Sequence, residues 1–316
     1  MTAPHASEFR RLNPVDRTAW IHLALNVTLI GGGVALASLG HTWATYIIGQ
    51  LVLGLGFTQS FVIIHEAGHR TMFRNRRLND AVGFLSGLFA LIPYPTWQLV
   101  HNRHHRYTGW QDLDVTTESL TPRELSRLET LAIDTAWRFW LPLFSIIYRV
   151  QNYWRIGRIT PFLPEKANKQ GLWLSIFLQL AVYAAVIWVV GFAELMVLVG
   201  PGLVLSLMGQ DLLILSQHTG MPTNLSHDRH VDPFPPSQQE EFTRSVRLPN
   251  WLSWLLLHFD AHELHHLYPA VPGYLLGQID YSPPNEVNMF KWVREVKTLS
   301  GTQFLFGGPG QKDQSP

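Results

Sequence analysis

The chain contains no cysteine in its 316 residues, which excludes disulfides, cysteine-ligated zinc and any built-in iron–sulfur or rubredoxin-like centre. Charge is scarce as well. Only 15% of residues are Asp, Glu, Lys or Arg, against 47% hydrophobic and 12% aromatic with twelve Trp, a balance too apolar for an ordinary soluble domain. No secretory signal is expected, because the first nineteen residues are polar and the first apolar run is long and uncleaved in character. There is no internal repeat and nothing that calls for a nucleic-acid partner.

Four segments are apolar over the roughly 20 residues that a membrane helix needs: Trp20 to Leu39, Thr45 to Ile64, Leu172 to Val190 and Leu195 to Ser216. Short links, Gly40-His41-Thr42-Trp43 and Gly191-Phe192-Ala193-Glu194, join them into two expected helical hairpins. A fifth apolar run, Ala81 to Val100, is interrupted by Pro93 and Pro95, and its unbroken part would cover only about 18 Å as a helix. It is expected to lie on or dip into the interface. Phe139 to Tyr148, broken by Pro142 and flanked by Arg138 and Arg149, is read as amphipathic surface helix. With four spans, the N-terminal segment, the segment from His65 to Gly171 and the segment from Gln217 onward share one side. They hold three, fourteen and seven of the 24 Lys and Arg residues, and the links hold none, which assigns that side and both termini to the cytoplasm. In a bacterium the membrane would be the inner one.

The most informative residues lie on that same side. Nine of fifteen histidines form His65-Glu66-Ala67-Gly68-His69, His101-Asn102-Arg103-His104-His105, His262-Glu263-Leu264-His265-His266 and a lone His218. Positions i, i+3 and i+4 share a helix face, so each run aims two or three imidazoles at one spot, the geometry of a metal site. His5, His22, His41, His227, His230 and His258 are expected to be loop, interface or supporting residues. Nine imidazoles exceed what one ion takes, so two metals are implied. Imidazole suits zinc, copper, iron and nickel alike. A dinuclear centre at the boundary of apolar helices can meet a lipid chain from the bilayer and a reductant from the cytosol. Iron can use dioxygen to attack an unactivated C–H bond and zinc cannot, so the expected chemistry is oxygen-dependent oxidation of a lipid.

The motifs resemble the membrane-bound fatty acid desaturases, a di-iron superfamily with the pattern His-x(3,4)-His, His-x(2,3)-His-His and His-x(2,3)-His-His. His65 and His69, then His101, His104 and His105, then His262, His265 and His266 match it, and the resemblance runs from the first span to Tyr274. His218, after the fourth span, matches the ninth ligand of stearoyl-type members. Pro93-Tyr94-Pro95-Thr96-Trp97 and His265-His266-Leu267-Tyr268-Pro269-Ala270-Val271-Pro272-Gly273-Tyr274 are similar to the acyl-lipid branch. The resemblance implies two iron ions ligated by the nine histidines, O2 as co-substrate, a membrane lipid or fatty acyl substrate, and electrons from a separate ferredoxin or a cytochrome with its reductase. No His-Pro-Gly-Gly signature of a fused cytochrome b5 type is present. Stearoyl-type members carry an Asn one turn before the ninth histidine where this chain has Ile214, so a water-held ligand would come from Gln217 or Asp211. Glu66, Asp112, Asp114, Asp211, Asp260 and Glu263 are candidates to orient the imidazoles. Arg74, Arg76, Arg77, Arg155, Arg158, Lys166 and Lys169 face an acidic donor or anionic headgroups.

The expectation is an all-α integral membrane protein with four transmembrane helices in two hairpins and a cytoplasmic helical cap carrying the histidine boxes. It forms a single domain over 1–306 with a disordered tail over 307–316, and its activity is acyl-lipid desaturation. Related hydroxylation, carotenoid ketolation or hydroxylation, and oxidative decarboxylation to a 1-alkene would use the same histidines. His65-Glu66-Ala67-Gly68-His69 also fits the His-Glu-x-x-His signature of an intramembrane zinc protease, which would leave both His-x-x-His-His runs without a purpose. A metal transporter or haem carrier would want polar groups at mid-span instead.

Overall fold

A computed structural model describes residues 12–307. His5 and residues 308–316 of the expected tail lie outside the described residues. Among the described residues, fourteen α-helices occur in the order α1 (Asp16–Leu39), α2 (Trp43–His69), α3 (Arg76–Ala90), α4 (Tyr94–Tyr107), α5 (Arg127–Phe139), α6 (Leu143–Arg149), α7 (Ile156–Ile159), α8 (Lys169–Val190), α9 (Phe192–His218), α10 (Asn250–Leu255), α11 (His262–Leu267), α12 (Gly273–Leu276), α13 (Met289–Val296) and α14 (Gly301–Phe306). Four of them, α1, α2, α8 and α9, are long and apolar enough to cross a membrane, and they coincide with the four segments expected from sequence. The chain is not purely α-helical. A two-residue parallel pair, β1 (Val246–Arg247) with β2 (Val287–Asn288), ties the segment before α10 to the segment before α13. Too short for a hydrophobic period, it leaves no sequence signal.

Helix α2 is the axis of the molecule: 72% of its most apolar window is buried, against 17% for each of the other three. Helices α1 and α2 run antiparallel at backbone contact. A Cβ on Gly49 would sit 2.8 Å from the Ala37 nitrogen, and one on Gly33 would sit 3.0 Å from the Gly49 carbonyl. Small residues take the place of a hydrophobic driving force where the surroundings are lipid. On its other side α2 runs parallel to α9, around Pro201. Proline has no N–H for the Val197 carbonyl, and the Tyr46 hydroxyl donates to that carbonyl instead at 2.7 Å. One turn on, Gln50 donates to the Leu198 carbonyl and accepts from the Gly202 N–H.

The parallel α2–α9 pair brings the C-terminal ends of both helices, His69 and His218, to one end of the molecule. The remaining elements pack over that end. The run 81–100 is two helices. Leu91, left-handed at φ 56°, ends α3, whereas Pro93 and Pro95 sit at the start of α4, where a missing N–H costs nothing. Phe139–Tyr148 is likewise a junction, broken at Trp140 to Pro142 between α5 and α6. Helix α6 is held on α9 by a buried polar knot. The Asp211 carboxylate accepts from the Ser145 N–H at 2.7 Å and from its hydroxyl, and Arg149 donates to Gln210 and to the Ala90 carbonyl.

Candidate metal centre

Each histidine run is locally helical, and packing decides where its rings point. Gly68 lets the Trp97 ring lie directly on α2, since a Cβ there would be 2.1 Å from the ring, and Trp97 in turn stacks on His101 at 4.3 Å between centroids. This clamp seats α4 against the end of α2. Helix α11 brings the His265 ring to 4.4 Å from the His65 ring between centroids.

The nine histidines gather into two groups, each able to hold a metal ion: His65, His69, His101, His105 and His265 in one, His104, His218, His262 and His266 in the other. The sorting crosses the sequence runs. In α4 the i, i+4 pair His101 and His105 joins the five-membered group while His104 turns to the four-membered one. In α11 the pair His262 and His266 joins the four-membered group while His265 turns to the five-membered one. Among the five, the Nε2 atoms of His69 and His101 are 2.8 Å apart, and those of His101–His105 and His105–His265 are 3.0 Å apart. Among the four, His218–His262 is 2.8 Å and His262–His266 3.0 Å.

These residues fit a metal. The buried Nε2 of His65 has no hydrogen-bond partner among the described residues, and nitrogens about 2.1 Å from one ion lie roughly 3.0 Å apart at a right angle and roughly 3.4 Å apart in a tetrahedron. The observed separations match the right angle. Burial first, and neighbouring imidazoles second, hold His101, His105, His262, His265 and His266 well below the ordinary histidine range, so these rings are neutral with lone pairs free for a cation.

Two of the six candidate supporting carboxylates touch these rings. Glu66 accepts from His65 Nδ1 at 3.0 Å and from the Gly273 N–H at 2.7 Å, and Asp114 accepts from His104 Nδ1 at 2.7 Å. Burial alone would raise the Asp114 carboxyl, but the His104 imidazole and Thr116 hold it below the ordinary range. The other four make no hydrogen bond to these rings. Asp112 accepts from Ser226, Asp211 from Ser145, Asp260 from Ser253 and the Leu248 N–H, and Glu263 from the Ser245 and Asn285 N–H groups. Asp211 fastens α6 to α9, and the other three tie the ends of α4 and α11 to neighbouring segments. Glu66, whose two oxygens are both taken, is not the free general base a zinc protease would need. The remaining outer contacts have no motif to announce them: Gln239 accepts from His266 Nδ1 at 2.9 Å, the Phe242 carbonyl accepts from His218 Nδ1 at 3.0 Å, and Thr116 bridges His104 and Asp114.

Both groups face a cavity of about 60 Å³ lined by His65, His101, His104, His218, His262 and Gln217 among others. Asp211, fastened to Ser145, does not reach it. Leu120, Phe144, Tyr148 and Leu215 separate it from a second, mainly apolar cavity of about 380 Å³ between α5, α6 and α9.

A family model described as "Fatty acid desaturase" matches residues 41–285, which include every histidine of both groups. The chain belongs to the fatty acid desaturase family. It is 26% identical to the chloroplastic sn-2 acyl-lipid omega-3 desaturase (ferredoxin) of Helianthus annuus, over 90% of this chain and 65% of that protein. It is 28% identical to a fatty acid desaturase of Bacillus subtilis, over 71% and 64%, and 25% identical to the sn-1 oleoyl-lipid 12-desaturase of Picosynechococcus, over 84% and 76%. The chain thus spans roughly two thirds to three quarters of the length of these relatives.

Proposed function

We propose that this desaturase-family chain is a di-iron acyl-lipid desaturase, with His65, His69, His101, His105 and His265 on one iron and His104, His218, His262 and His266 on the other. The observation that carries this reading is the pairing of two imidazole groups with a small cavity that abuts a larger apolar one. The overall reaction converts –CH2–CH2– to –CH=CH– with one O2, two electrons and two protons yielding two waters. Bound iron supplies the redox chemistry that activates dioxygen against an unactivated C–H bond. The protein supplies position: Glu66, Asp114, Gln239 and the Phe242 carbonyl fix which ring nitrogen faces the metal, and Leu120, Phe144, Tyr148 and Leu215 limit which carbon reaches the small cavity. The acyl chain occupies the larger cavity. Its lining residues Leu141 and Ile147 are about half exposed and flank Ser145, whose hydroxyl donates to the Leu207 carbonyl of α9.

The spans form two hairpins, with residues 1–306 as one domain and the histidine-bearing cap and both termini in the cytoplasm. The absence of Lys and Arg from both links supports this orientation. Electrons come from a separate protein, and the "(ferredoxin)" in the Helianthus relative's name supports a ferredoxin. Among the basic residues expected to meet it, Arg158 pairs with Glu118 at 2.7 Å and Arg74 donates to the Pro14 carbonyl, while Arg76 and Arg77 stay exposed.

The test is gas chromatography–mass spectrometry of total fatty acids, hydrocarbons and carotenoids from an aerobic host co-expressing a ferredoxin and its reductase with the chain or with His105→Ala. A new unsaturated acyl chain is expected only with the parent. Hydroxylated lipids, oxidised carotenoids or terminal alkenes in its place would overturn desaturation and leave the metal site standing.

A further inference from the structure

We propose that Gln239 is a positioning residue that sets the His266 ring of the four-histidine group and locks it to α4 at His105, a member of the five-histidine group. The proposal rests on the metal reading above. Gln239 is 2% exposed and lies in the 3-10 turn Pro236–Phe242, outside every histidine run. Its amide nitrogen donates to the His105 carbonyl at 2.7 Å and to the Phe234 carbonyl at 3.0 Å. Two carbonyl acceptors fix which end of the amide is nitrogen, so Oε1 must face His266. There it accepts from Nδ1 at 2.9 Å. An Nδ1–H tautomer leaves the His266 Nε2 lone pair directed at the four-membered group, where it sits 3.0 Å from His262 Nε2. The His105 and His266 rings stack at 4.4 Å between centroids, so the amide ties together, through backbone on one side and ring on the other, two histidines that belong to different groups.

The same turn makes a second contact of this kind. The Phe242 carbonyl accepts from His218 Nδ1 at 3.0 Å, so residues 236–242 orient two of the four rings. Thr243 closes the turn by donating its hydroxyl to the Gln239 carbonyl at 3.1 Å, without touching either ring.

Gln239→Leu, Gln239→Glu and Thr243→Ala, each in the full chain purified in detergent and loaded with Fe(II), separate positioning from simple structural support. The readouts are iron per chain by plasma mass spectrometry and the rate of iron release to a chelator, neither of which needs substrate or an electron donor. The parent is expected to hold two irons. Gln239→Leu is expected to release one of them about 10- to 100-fold faster, as loss of an outer-sphere partner does, with the other unchanged. Gln239→Glu keeps the acceptor for His266 and loses both donors, so it should release that iron more slowly than Gln239→Leu, again with the other unchanged. Thr243→Ala should match the parent. If Gln239→Glu, which turns a carboxylate toward two carbonyls, is as leaky as Gln239→Leu, the residue is structural and the positioning role is overturned. Unchanged release from Gln239→Leu overturns it too. A parent that binds no metal at these rings overturns the underlying site reading, and this proposal with it.

Discussion

The two histidine groups are built by different means. The outer contact found in the five-membered group is local: Glu66 follows His65 directly and accepts from its Nδ1, so imidazole and orienting carboxylate arrive on one helix. The four-membered group is assembled from a distance. His104 depends on Asp114 beyond the end of α4, His218 and His266 depend on the turn 236–242, and the buried Nδ1 of His262 has no partner among the described residues. The orienting contact of one group is therefore encoded in a single helix, and those of the other in loop packing. A site whose orienting groups come from loops should tolerate changes in those loops less well, because nothing local restores a ring that turns away.

The sharpest break of this comparison is to remove one ligand from each group. His265→Ala and His262→Ala should each take desaturation below detection and lower iron content by about one per chain, measured by product analysis and metal analysis on the same preparations. Loss of both irons from either variant would mean that the groups are not separable. Removing the orienting carboxylates comes next: Glu66→Gln and Asp114→Asn should weaken their own site about 10- to 100-fold, with Asp114→Asn the more damaging. Equal loss would remove the distinction between local and assembled support. Gly68→Ala acts on the seam between α2 and α4. Its Cβ would collide with Trp97, so overpacking should cost about 1–3 kcal/mol and lower the melting temperature in detergent, while disturbing His101 through the stacked ring.

This contrast also explains what could be read from sequence. The four long helices were legible because about 20 apolar residues admit little else, and eight of the nine histidines because i, i+3 and i+4 spacing needs no tertiary knowledge, whereas the lone His218 rested on the family resemblance. The sorting of His104 and His265 away from their neighbours was not legible, since it depends on α4 and α11 meeting face to face. Carboxylate proximity in sequence was an uneven guide. Glu66 and Asp114 reach a ring, whereas Glu263, adjacent to His262, turns to the Ser245 and Asn285 backbone. Gln239 could not be found at all: it lies in a polar stretch with no period, 27 residues from the ring it supports. Proline was read as a breaker at Pro95, where it starts a helix instead.

A milder change should leave both groups untouched and alter only what they act on. Ala136 lines the larger cavity from α5 and is 7% exposed, so Ala136→Phe would fill space proposed for the acyl chain, in a cavity that no histidine of either group lines. Iron content and release should match the parent for both groups. Product analysis with acyl chains of several lengths should show the ratio of long to short products falling at least about tenfold, the scale on which an apolar pocket discriminates a methylene. An unchanged ratio would place the chain elsewhere and leave the small cavity between the groups to be reached by another path. A changed ratio with one iron lost would be more instructive. It would mean that the α5–α6 wall also supports the four-membered group, and that the assembled site extends further from its ligands than the contacts of Asp114 and Gln239 alone.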